Sequence, residues 1–392
     1  MTIYLHFDNF NIEYNAGWED ENLKNHVLLL FSLIFMSAML ISCGNGEQLT
    51  NDMSEDDANE IFQLEELSDH SLRIKSYTGT GKSIAVPERI GGKTVSEIGT
   101  GAFKNSDVEK ITIPATVETI GSWAFFNLKK CTEVTIGNKM ALKSDDIFSQ
   151  CPNLKKVNTE GEGTIVWFLG NSLTAEGNLD MYFQDVCDQK GEKVIHYTNT
   201  GDGYTLGDHF SDFSGTAPET AYLTADVILI QPLYIEYDSE YVNDLRSLCR
   251  DDAKIYSLGT IYTRYNDYQL IQKEWETPLD GFTPGGDICD DLIQKKILNF
   301  YDIQSQDEVH PTYLNGFISG VSIYKELFSK PVTDIDHKKV SYSLDDFIPG
   351  DTDGEKSKKI QEILTEIEQF DRDEYQKSGR ASYDYSIKIK RG

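Results

Sequence analysis

Hydrophobic positions fall into two regimes along the chain. In residues 71–160 short apolar words return at a fixed interval. Ile98-Gly99-x-x-Ala102-Phe103 recurs 22 positions later as Ile120-Gly121-x-x-Ala124-Phe125, and Phe148 continues the row 23 further on. Between these words run β-branched segments, Ile111-Thr112-Ile113-Pro114 and Val134-Thr135-Ile136, with Val157 next in line. A unit of that length cannot bury its own apolar face. The period therefore predicts one solenoid coil per repeat, with the Ile, Ala and Phe rows in a shared core and the β-branched segments as parallel strands. About three repeats is near the minimum for a stable stack, so the solenoid is expected to lean on its neighbour and to serve as a spacer or a binding accessory.

From Gly163 the texture changes. Ile165-Val166-Trp167-Phe168-Leu169 is an unbroken apolar run, as in a strand buried on both faces. It ends at Gly170-Asn171-Ser172, and an amphipathic segment follows over 178–189. Further strands are expected at 193–198, 226–231 and 254–261, and helices at 240–250, 316–327 and 358–370. Ile297 to Tyr301 fits either a last strand or a helix end. This alternating order predicts a parallel sheet with helices on both sides, and in open α/β sheets reactive groups gather beyond the carboxyl ends of the strands. The expected organisation is an N-terminal extension with a signal peptide (1–43), an acidic linker (44–70), a solenoid (71–162) and an α/β domain (163–392).

Composition narrows the function classes. The 36 basic residues against 65 acidic ones give a formal charge of −29, while 39% hydrophobic and 26% charged residues describe a globular protein. Nucleic acid is not an expected partner, because a phosphate backbone needs Lys and Arg to displace its counterions. The run Val27 to Ile41 is shorter than the roughly 20 apolar residues of a spanning helix, and it leads into Ser42-Cys43. After it, 44–70 is polar and acidic and reads as a solvated tether. Five further cysteines, Cys131, Cys151, Cys187, Cys249 and Cys289, show neither a CxxC nor zinc spacing. Asp351-Thr352-Asp353-Gly354 begins like a calcium loop, but Lys356 stands where the glycine is required and Lys358 and Lys359 add positive charge. No metal or other cofactor is expected.

Three resemblances follow from these residues. Leu40-Ile41-Ser42-Cys43 resembles the lipobox of bacterial lipoproteins, which implies export and a lipid anchor on Cys43; Leu23 is then read as an alternative start, giving a short Lys-containing n-region. The I-G-x-x-A-F words resemble the BspA-like leucine-rich repeats of bacterial surface proteins, which implies a glycan or protein ligand for the repeats. Residues 163–392 resemble the SGNH (GDSL-like) hydrolases, which implies a three-layer α/β/α fold. There Gly170-Asn171-Ser172-Leu173-Thr174 stands for the nucleophile block, Gly201-Asp202-Gly203-Tyr204 with Leu206 and His209 for the glycine block, Gln231 for the usual asparagine, and Asp307-Glu308-Val309-His310-Pro311 for the acid–base block.

The chemistry needs these residue types. A serine hydroxyl is a poor nucleophile until an imidazole takes its proton, so Ser172 calls for His310 as general base and then as general acid. Asp307, three residues earlier, would fix the imidazole tautomer. The Ser172 and Gly203 N–H groups and the Gln231 amide would receive the oxyanion. Two positions depart from the family pattern: Asn171 for Asp, and Gln231, one methylene longer than Asn. His209 is expected to pack beside the glycine loop. The expected function is that of an exported, lipid-anchored serine esterase acting on an acylated carbohydrate or another O-acyl ester. The alternative is a non-catalytic surface adhesin or glycan-binding protein.

Overall fold

A computed structural model describes residues 2–7, 10–15, 52–216, 219–232, 235–259, 279–307 and 309–377. It divides into two units, Met1–Thr50 and Asn51–Gly392. In the first, β1 (Thr2–Phe7) and β2 (Phe10–Asn15) pair antiparallel. The apolar run before Ser42, and Cys43 itself, lie outside the described residues.

The second unit opens with β3 (Asp52–Met53), α1 (Glu55–Ile61) and β4 (Phe62–Glu66), and β4 pairs antiparallel with β5 (Leu72–Tyr77). This corrects the tether expected over 44–70: from Asp52 onward the segment is folded. Ser54 caps α1 by accepting the Asp57 N–H at 3.2 Å, and the acids Glu55, Asp56 and Asp57 suit the positive end of the helix. Their charge masked an apolar face, on which Ala58 and Phe62 are buried against the first coil.

The solenoid continues through β6 (Ser83–Ala85), β7 (Arg89–Ile90), β8 (Lys93–Ile98), β9 (Lys110–Ile113), β10 (Thr119–Ile120), β11 (Glu133–Ile136) and β12 (Lys156–Thr159). Strands β6, β9, β11 and β12 form one parallel sheet in which Ile84, Ile111, Val134 and Val157 share a row. The Phe row is a stack, with Phe103, Phe125 and Phe148 at successive centroid spacings of 5.4 Å. Gly121 is required because a Cβ there would lie 2.7 Å from the Thr100 amide nitrogen of the preceding coil.

The α/β part carries a five-stranded parallel sheet of order β14-β13-β15-β16-β17. Its elements in chain order are β13 (Thr164–Asn171), α2 (Ser172–Ala175), α3 (Leu179–Lys190), β14 (Val194–Gly201), α4 (Leu206–Thr216), α5 (Glu219–Thr224), β15 (Val227–Ile230), α6 (Ile235–Leu248), β16 (Lys254–Leu258), β17 (Gly281–Thr283), α7 (Gly285–Gln294), α8 (Phe300–Ile303), α9 (Tyr313–Phe328), α10 (Asp353–Gln369) and α11 (Arg372–Lys377). The molecule is thus a mixed α/β protein with parallel sheets. Of residues 297–301, Phe300 and Tyr301 open a helix capped by Asn299, and none lies in a strand. The suspected calcium loop is a helix start: Thr352 and Glu355 form a reciprocal capping box for α10.

Alternation along β13 sends its side chains into two cores. Val166 and Phe168 join Phe183, Phe317 and Ile363 under α3, α9 and α10. Ile165, Trp167 and Leu169 join the other core, which runs without interruption from Ala58 through the solenoid to Leu245 and Ile255. The solenoid and one face of the sheet therefore share a single hydrophobic interior.

Polar contacts pin this seam. Phe148 N–H donates to Thr220 Oγ1 at 3.2 Å, and Tyr197 donates its hydroxyl to the Leu142 carbonyl at 2.5 Å. Asp226 is the hub: it takes Lys139 Nζ at 3.0 Å from the solenoid, Arg250 Nη1 at 3.0 Å from the end of α6, and the Ile165 N–H at 2.8 Å at the start of β13. All three ionic partners are largely withdrawn from water, so screening is weak. Asp226→Ala should leave Lys139 and the Ile165 amide without this acceptor, while Arg250 keeps Asp252 at 2.7 Å, lowering stability by about 2 kcal/mol; the shift of a urea unfolding midpoint measures it, and an unmoved midpoint would show that Asp226 does not hold the seam.

Candidate active site

The strands β13, β14 and β15 end side by side, with Asn171 opposite Gly201 and Leu169 opposite Ile230. Ser172 stands at the first turn beyond β13, half-buried, at the head of the short helix α2. Gly170 must lack a side chain because a Cβ would fall 2.2 Å from Thr174 Oγ1, so strand and turn fold tightly onto each other. Ser172 Oγ makes no hydrogen bond to another described residue.

Asn171 organises this rim. It is wholly buried; its Oδ1 accepts the Leu173 N–H at 3.0 Å, and its Nδ2 donates to the carbonyls of Tyr204 at 3.3 Å and Gln231 at 3.4 Å. One amide therefore ties together the chain ends after β13, β14 and β15. The departure from Asp has a physical reason, since a carboxylate cannot donate and would face two carbonyl oxygens without water.

Gly203 lies in the turn closed by the Tyr204 N–H on the Gly201 carbonyl at 3.1 Å, at a φ of +69° that favours glycine. It is exposed, and its N–H is bonded to no described residue. His209 is buried beside Tyr204, with the rings 5.1 Å apart, and its Nε2 donates to the Gly170 carbonyl at 2.7 Å. Gln231 is buried at the end of β15, and its Nε2 donates to the Pro232 carbonyl at 3.2 Å.

The acid and base come from the loop between α8 and α9. Ser305 N–H donates to the His310 carbonyl at 2.9 Å and Thr312 N–H to the Ile303 carbonyl at 3.0 Å, closing the loop as a small clasp. Inside it, Asp307 Oδ2 lies 2.7 Å from His310 Nδ1. The carboxylate only accepts, so Nδ1 carries a hydrogen, and it is Nε2 that bears the lone pair of the neutral imidazole. Asp307 Oδ1 takes the Ser305 hydroxyl, the Val309 N–H at 2.9 Å and the His310 N–H at 3.0 Å. The Ser305 hydroxyl first, then the imidazole and the two amides, hold the Asp307 carboxyl well below the usual range. Ser305 escaped the sequence reading, although a serine two residues before an aspartate in a turn is a local signal for such a bond.

Two glycines set the clasp against the serine turn. A Cβ on Gly177 would lie 3.2 Å from Pro311 Cγ, and one on Gly316 would lie 1.7 Å from the Gly177 carbonyl oxygen. The chain just after α2 thus packs on the residue that follows His310 and on the first turn of α9. The structure brings His310 and Asp307 into contact and packs their clasp beside the Ser172 turn, while no hydrogen bond joins Ser172 to His310. The described cysteines offer no rival nucleophile: burial raises all five, with Cys151 and Cys249 pushed up to about 12.

Comparison with known proteins adds the following. The family model of the BspA type leucine rich repeat region matches residues 83–167 in six copies. None of the curated proteins compared matches the chain. Among solved structures, the chain is similar to a DUF4886 family protein from Bacteroides uniformis, at 17% identity and a TM-score of 0.38, over 52% of this chain and 93% of that one. It is similar to an acetylxylan esterase from Geobacillus stearothermophilus, at 13% identity and a TM-score of 0.34, over 43% and 95%. It is similar to a leucine-rich repeat protein from Bacteroides capillosus, at 21% identity and a TM-score of 0.22, over 26% and 94%.

The buried Asn171 amide gives its replacement by Asp a pH dependence of definite sign. In Asn171→Asp the buried carboxyl is forced toward its neutral form, so its folded pKa lies above the unfolded value of about 3.9. The variant should be nearly tolerated below about pH 4 and should lose stability as pH rises toward its folded pKa, levelling off above it. Urea midpoints across that range test this; a deficit independent of pH would argue against the buried-amide role.

Proposed function

We propose that the chain is a serine esterase of the SGNH type that cleaves O-acyl esters through Ser172, His310 and Asp307. The observation that carries this reading is the Asp307–His310 contact at 2.7 Å, held in a clasp packed beside the Ser172 turn at the carboxyl rim of a parallel sheet. Ser172 Oγ attacks the ester carbonyl as His310 Nε2 takes its proton. Asp307, kept ionised by its four donors, stabilises the imidazolium that forms. The oxyanion is received by the N–H groups of Ser172 and Gly203. The Gln231 amide, whose Nε2 also donates to the Pro232 carbonyl, is the third donor in this scheme. His310 then gives its proton to the leaving alcohol, and water repeats the sequence on the acyl-enzyme.

The surface around the site bears on the substrate. His310 is about a third exposed and Asp307 about half, so the dyad opens onto solvent. An open rim suits an ester carried on a large, soluble scaffold, and an acylated carbohydrate is the substrate we assign. We further propose export and lipid anchoring through Cys43, which rests on the Leu40-Ile41-Ser42-Cys43 sequence alone.

Three measurements test these assignments. A serine-directed fluorophosphonate should label Ser172, and Ser172→Ala should abolish both labelling and p-nitrophenyl acetate hydrolysis without lowering Tm; labelling of another residue, or none in folded protein, would overturn the esterase reading. Asp307→Asn should lower kcat about a thousandfold or more through loss of the tautomer lock. Cys43→Ser should move the protein from the membrane pellet to the soluble fraction, and unchanged pelleting would exclude the anchor.

A further inference from the structure

We propose that the Trp123 coil of the solenoid is a docking platform for the flat face of an uncharged sugar ring in a neutral polysaccharide. The site lies outside the proposed catalytic residues, and the inference does not depend on the esterase reading.

The backbone ladder between coils sets the register. Gly101 N–H donates to the Ser122 carbonyl at 3.1 Å and Asn105 N–H to that of Phe126 at 3.0 Å; on the other side Phe125 N–H donates to Ile147 at 3.1 Å and Asn127 N–H to Ser149 at 3.0 Å. Trp123 and Phe126 therefore take the places held by Gly101 and Lys104 in the coil before, and by Asp146 and Ser149 in the coil after. Two polar coils flank one aromatic one.

Eight described non-glycine residues have a positive φ, and Trp123 alone among them carries a large apolar side chain. Its φ is +54°, matching +63° at Gly101 one coil earlier. The left-handed region costs glycine nothing and strains a bulky side chain, and such strain persists where something else requires the residue. Core packing is not that requirement, because the Trp123 side chain is 52% exposed, the second largest exposure among the large apolar residues described. Phe126 is half-buried beside it. The same row elsewhere needs no aromatic ring to stack.

The surroundings fit a sugar. A pyranose presents an apolar C–H face that packs on an indole and a rim of hydroxyl groups that both donate and accept. Neighbouring coils stand about 4.8 Å apart, which places hydrogen-bonding groups on both sides of a ring resting on Trp123. On one side is the exposed Lys104. On the other, the Ser144 hydroxyl donates to Asp146 Oδ1 at 2.5 Å, 3.4 Å from the Ser122 hydroxyl. An anionic polymer would meet Asp145, Asp146 and a chain of formal charge −29, so the ligand class is neutral. An extended peptide would need a free strand edge, and here the neighbouring coils occupy the backbone on both sides.

The test uses the full chain, with retention on insoluble cellulose and on insoluble β-mannan as the probes. Wild type should be retained on at least one of them, and Trp123→Gly should lower that retention about tenfold or more, as expected for a central aromatic anchor. Because glycine is at ease at this φ, Trp123→Gly should keep or raise Tm and leave p-nitrophenyl acetate hydrolysis unchanged. Ser172→Ala should bind like wild type, which keeps this result separate from the fate of the catalytic assignment. The proposal is overturned if wild type binds neither polymer, if Trp123→Gly binds as well as wild type, or if its retention falls together with its Tm.

Discussion

A solenoid cannot end by itself. Each coil buries the apolar face of the one before, and the last coil is left with Leu142, Ile147 and Phe148 facing outward unless something covers them. Here the cover is one face of a parallel sheet. Ile165, Trp167 and Leu169 extend the same hydrophobic interior that starts at Ala58, so the two architectures are one thermodynamic object. Asp226 marks the join, where a lysine of the solenoid, an arginine of the α/β part and the Ile165 amide of β13 converge on one carboxylate.

That junction fixes β13, and β13 carries the candidate nucleophile at its end. From there outward the rim is held by short polar bonds and not by bulk packing. Asn171 spans three chain ends, His209 braces the carbonyl of Gly170, and the Ser305–Thr312 clasp presents an imidazole with its tautomer already chosen. His310 and Asp307 reach solvent, while Asn171 and His209, which brace the rim beneath them, are buried. This division fits preorganisation: a buried amide makes a rigid post, and a rim-exposed imidazole can exchange protons.

Much of this was legible in the chain itself because it rests on periodicity. The 22–23-residue interval located the solenoid rows, and the unbroken run Ile165–Leu169 located a strand covered on both faces. Element ends were less legible: the helix expected at 240–250 begins at Ile235, and β17 is a three-residue strand with too few side chains to set a period. The acidic segment before Leu72 misled because net charge says nothing about which face of α1 is apolar. At the rim, residue type pointed to Ser172, His310 and Asp307, whereas side-chain direction did not follow from type. Gln231 donates to the Pro232 carbonyl, Ser305 joins the carboxylate, and Asn171 emerges as the brace of the rim once its three partners are seen in space.

The approach of Gly177 to Gly316 gives the molecule an unusual sensitivity. The carbonyl of one glycine sits where the other would carry its first side-chain atom, so the gap between the serine turn and the imidazole clasp is set by how closely α9 nests on the loop before α3. Any swelling of that helix pair, even from a substitution deep among Tyr182, Phe183 and Phe317, would be transmitted to the rim as a widened gap between the reacting groups. Under the esterase proposal, turnover would act as a gauge of interior packing, fading under mild loosening well before the fold itself gives way.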